Sequence, residues 1–78
     1  MNCYSEFIVS AMNYVDAEIE KLNDNSVNKQ RLHNNVKKII VANVKTLAEN
    51  SLETSYKLVD NIFRTQLNDE IVNKFLKK

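Results

Sequence analysis

"RLHNNVKKIIVANVK", residues 31–45, decides the fold of this chain. Its centre, residues 37–44, is rich in β-branched side chains and by propensity alone suits a strand. The spacing argues for a helix. Leu32, Val36, Ile39, Ile40, Val44 and, just beyond the stretch, Leu47 recur at intervals of three and four, which lays them along one face of a helix. A strand would also need a partner, and no other segment combines strand alternation with hairpin turn residues. The reading is a helix over residues 27–49. Arg31, Lys38 and Lys45, spaced by seven, then form a basic ridge opposite the apolar stripe.

The flanks share the same period. Tyr4, Phe7, Ile8, Ala11, Val15, Ile19 and Leu22 lie on one face of a helix over 4–22. "NDNSVN", residues 23–28, is the strongest loop signal, with Asn25 or Ser26 as a cap for the second helix. "ENSLETS", residues 49–55, is weak in helix propensity and offers Ser51 as another cap. Leu52, Tyr56, Val59, Ile62, Phe63 and Leu67 then form the stripe of a third helix, 52–67. The last apolar set, Ile71, Val72, Phe75 and Leu76, is displaced by more than about 100° around that wheel. A break at "NDE", residues 68–70, is expected, with Asn68 or Asp69 capping a short helix over 69–77. The rival reading is one long helix whose last turns face a different neighbour. The expected fold is all-α: one domain, 1–78, of three amphipathic helices plus a short C-terminal one.

Size and composition narrow the function by exclusion. A chain of 78 residues buries about 60–65% of its unfolded surface, which leaves a marginal core. One Cys and one His rule out an internal disulfide and a Cys/His zinc site, so self-association is the remedy left. Gly and Pro are absent, while Asn occurs twelve times and Lys nine. An AT-rich gene of a phage, a virus or a low-GC bacterium has that bias. Without glycine there is no phosphate-cradling loop. His33 lies in no nucleophile motif, and the carboxylates are dispersed. No enzyme activity and no cofactor are expected. Glu6 interrupts the N-terminal region, and the apolar run 7–9 is too short for a signal or a membrane span. The expected location is cytoplasmic, with Cys3 reduced and no membrane association.

Charge is segregated along the chain. Residues 1–25 carry five acids against Lys21, residues 26–48 carry five bases against no acid, and the remainder balances. The Arg31, Lys38 and Lys45 ridge is therefore either a solvated face, a contact for an acidic partner such as the Glu6 and Glu20 ridge of another copy, or a phosphate contact. Three cations give a weak grip on nucleic acid, the stretch has no aromatic residue for stacking on bases, and the net charge is only +1. Protein thus ranks above nucleic acid as a partner.

Two polar residues interrupt the apolar faces. In antiparallel hairpins Glu18 comes level with His33 and Asn43 with Tyr56, so the pairs Glu18–His33 and Asn43–Tyr56 are expected to satisfy one another. Val9, Val41 and Leu58 point away from their stripes. With Ile71, Val72, Phe75 and Leu76 they make more apolar surface than three short helices bury. The function expected is that of a small intracellular regulatory or adaptor protein that binds another protein and self-associates. Ile71, Val72, Phe75 and Leu76 are its apolar contact, and the basic ridge its electrostatic one. The alternatives are nucleic-acid binding through that ridge, or an oligomer that holds a small anionic ligand.

Overall fold

Residues 31–45 are helical, but they do not form one helix. The computed structural model describes residues 3–76 as α1 (Cys3–Glu20), α2 (Lys29–Ala42), α3 (Val44–Ala48) and α4 (Leu52–Leu76), with no strand among the described residues. The expected helix over 27–49 is thus interrupted at Asn43. The Asn43 amide donates to the carbonyls of both Ile39 (3.1 Å) and Ile40 (3.2 Å). Its side-chain Nδ2 donates to Ile39 O at 2.8 Å. A side chain that competes for a helix carbonyl favours termination, and the backbone of Asn43 (φ −117°, ψ 15°) has left the helical region.

The caps arise from local chemistry. Asn28, rather than Asn25 or Ser26, starts α2: its Oδ1 accepts from the Arg31 amide at 2.9 Å. The loop before it is held by Asp24, whose carboxylate accepts from the Ser26 amide (2.9 Å) and hydroxyl. Ser51 caps α4, its hydroxyl oxygen facing the Thr54 amide at 3.3 Å.

α4 then runs for 25 residues without the break expected at 68–70. The separate short C-terminal helix is therefore corrected to the last turns of α4, and residue 77 of that expectation lies outside the described residues. Asn68 and Asp69 are exposed, so water satisfies their side chains, while the next residue, Glu70, is buried and anchored to α2. Polar residues without Gly or Pro lower helix propensity by only tenths of a kcal/mol each. One tertiary anchor on the following turn outweighs that.

The core is one cluster drawn from every helix. Ala11, Met12, Val15 and Ile19 of α1 meet Leu32, Val36 and Ile40 of α2, Leu47 of α3, and Val59 and Phe63 of α4, with Val27 sealing the loop end. Each helix touches the other three. The Ser55 hydroxyl, buried at the α3–α4 corner, donates to Leu47 O at 2.6 Å. The molecule is a rod of 45 × 19 × 19 Å. At 1.5 Å per residue α4 accounts for about 37 Å of its length.

Candidate interaction surfaces

Arg31 has a role that its spacing does not reveal. Its Nε lies 2.7 Å from Glu70 Oε2 and its Nη2 lies 2.9 Å from Glu70 Oε1, a two-pronged pair that ties the start of α2 to the end of α4. Only 5% of the Glu70 side chain is exposed, against 50% of Arg31. The Glu70 carboxylate raises the Arg31 pKa further through its hydrogen bonds and its charge. The expected basic ridge is corrected accordingly. Arg31 is committed within the chain, Lys38 stays on α2, and Lys45 belongs to α3 beyond the Asn43 junction.

The burial asymmetry of this pair gives a prediction. Truncating Arg31 leaves a buried carboxylate without its guanidinium, which costs more than truncating an arginine whose acids are wetter. Arg64 is such a control, since its partners Asp60 and Glu18 are 29% and 19% exposed. Arg31→Ala is expected to lower the urea midpoint clearly more than Arg64→Ala. Equal midpoints for the two variants would mean that the Arg31–Glu70 clamp holds nothing extra.

The two expected polar pairs are replaced by others. His33 Nδ1 lies 2.6 Å from Asp16 Oδ1, not against Glu18. Glu18 instead pairs with Lys21 (2.8 Å) and lies 3.8 Å from Arg64. The α1–α2 hairpin therefore sets its register on residue 16, one half-turn from the position expected. Asn43 is exposed and serves its own helix end, while the Tyr56 ring packs edge-on against Tyr14 with centroids 5.9 Å apart.

Tyr14 is the centre of a second network that no sequence pattern announces. Its hydroxyl donates to Asp60 Oδ1 at 2.6 Å, and Arg64 Nε donates to Asp60 Oδ2 at 2.8 Å. The hydrogen bond to the carboxylate, with burial behind it, pushes the Tyr14 phenol up to about 12. The same bond, then the one from Arg64, holds the Asp60 carboxyl below its ordinary value. These partners lie 46 residues apart, beyond any local pattern.

The end of α4 divides in two. Ile71 is half-buried and packs on the core. Val72, Phe75 and Leu76 are 44%, 63% and 76% exposed. Lys74 beside them reaches Asp24 at 4.0 Å and lies 5.9 Å over the Phe75 ring. Among the described residues no group of three His, Cys, Asp or Glu is placed to hold a metal ion, and no helix is long and apolar enough to cross a membrane. No protein-family model matches the chain, and neither does any curated protein or solved structure.

Proposed function

We propose that this chain is a small non-enzymatic regulatory or adaptor protein of the cytoplasm that acts by binding another protein, with the exposed end of α4 as its apolar contact. The observation that carries this reading is the exposure of Val72, Phe75 and Leu76 together on two successive turns of a helix that is anchored just before them at Glu70. Apolar side chains scattered singly are ordinary on a protein surface, but a contiguous group on a fixed helix is what a partner buries. Aromatic residues are also enriched at the centres of such contacts.

Phe75→Asp tests this directly. The side chain is 63% exposed, so the variant is expected to keep its stability within about 0.5 kcal/mol. It is also expected to lose the partner that wild-type protein captures from its native cells, and to lose binding to that partner once purified. Capture of the same proteins by both forms would end the assignment of this surface.

A further inference from the structure

The end of α4 contributes little to the core. After Phe63 the only buried residue of α4 is Glu70, and every residue from Val72 to Leu76 is exposed. Leu67 and Ile71 touch the core from its edge. The last turn of a helix leaves its carbonyls without intrahelical partners and frays in water unless something ties it down. Two ties do so here, and both run to the connection between α1 and α2 and the first turn after it. The Arg31 guanidinium grips Glu70 through two hydrogen bonds, of 2.7 and 2.9 Å. One turn later Lys74 reaches Asp24 at 4.0 Å. The receiving end is itself fixed. The Asp24 carboxylate accepts from the Ser26 amide at 2.9 Å, and the Arg31 amide donates to the Asn28 cap at 2.9 Å.

We infer, on the reading of this end of α4 as the contact surface, that Arg31 is its positioning residue: through Glu70 it holds the last turns of α4 as a set helix in the free protein, so that Val72, Phe75 and Leu76 are presented ready-made and do not order on binding. These three share one side only while those turns are helical, because residues three and four apart are neighbours on a helix and not on an extended chain. A surface ordered beforehand spares the binding step the loss of backbone and side-chain freedom. The two ties are unequal. The Glu70 side chain is 5% exposed, and a carboxylate that deep depends on its guanidinium. Without Arg31, the direct route by which Glu70 regains water is to unwind α4 from residue 70 onward. Lys74 and Asp24 are each about half-exposed, and such a pair contributes little and is screened by salt. Arg31 therefore does most of the holding.

Amide hydrogen exchange of the full chain, free of any partner and resolved residue by residue by NMR, tests this. The amides of residues 73–76 donate within α4 and are expected to be protected in the wild type. Arg31→Ala is expected to speed their exchange by at least about tenfold. Arg31→Lys, which keeps the charge but loses the two-pronged grip, speeds them by a smaller factor, and so does Lys74→Ala. Arg64→Ala is the control. It weakens the fold elsewhere on α4, so it speeds the core amides of Val59 and Phe63 and leaves residues 73–76 at the wild-type rate, because a helix end exchanges by opening locally. Amides at 73–76 that are unprotected in the wild type overturn the inference. So do amides there that keep the wild-type rate in both Arg31 variants, or that are freed equally by Arg64→Ala. None of these outcomes involves a partner, so the contact surface itself stands or falls separately, on Phe75→Asp.

Discussion

Phe63→Ala is expected to cost about 3–5 kcal/mol, the range for deleting a buried aromatic ring and leaving a cavity behind. The Phe63 ring is 2% exposed at the middle of α4, among core residues from the other helices. A chain of this length has a total stability of about 4–12 kcal/mol. The substitution therefore removes at least about a quarter of what holds the fold, and the urea midpoint falls in proportion. Urea titration followed by the helical circular-dichroism signal measures it. A loss under about 1 kcal/mol would mean that the core closes over the gap, and that the packing is looser than the burial of Leu32, Val36, Ile40 and Val59 indicates.

Tyr14→Phe is expected to cost about 1.5–3 kcal/mol at neutral pH, the scale of a hydrogen bond to a charged acceptor. Its pH dependence separates this from a packing effect. The folded phenol titrates at about 12, above its unfolded value of about 10. The stabilisation is therefore complete below about pH 10 and is lost as pH rises through about 12. Asp60 is shifted the other way. Its folded value is depressed, so its share of the stabilisation is present above about pH 4 and is lost as pH falls through the lower folded value. The gap in urea midpoint between wild type and Tyr14→Phe should hence be flat across the neutral range and close at both ends. The alkaline absorbance titration should lose its component near pH 12 in the variant. A gap that persists unchanged at high pH would assign the effect to the Tyr14–Tyr56 ring contact instead of the hydrogen bond.

Periodicity is local information, and this chain is rich in it. The apolar stripes placed α1 and α4 and identified residues 31–45 as helix despite their β-branched content. The core was legible too, since Val15, Ile19, Leu32, Val36, Ile40, Val59 and Phe63 all lie on faces visible in the spacing. Of the four apolar residues assigned to the end of α4, Val72, Phe75 and Leu76 are exposed and Ile71 is half-buried. The breaks were harder to place. Asn43 ends a helix through which the stripe runs on, while Asn68, Asp69 and Glu70 continue one at which the stripe changes direction. The residue types are alike. The difference is that Asn43 turns its side chain onto its own helix, whereas Glu70 reaches an arginine on another.

What the sequence determined by itself is an all-helical chain with its buried faces, because a helix is specified by neighbours three and four residues away. The tertiary structure alone decided the polar pairing: Arg31 with Glu70, Asp16 with His33, and Tyr14 with Asp60. Each joins two helices whose relative rotation and register depend on how the whole core packs, and a shift of two residues along a helix exchanges one acid for another. Apolar side chains tolerate such a shift, because burial has no direction. Hydrogen bonds do not tolerate it, since they require a particular atom at a particular distance.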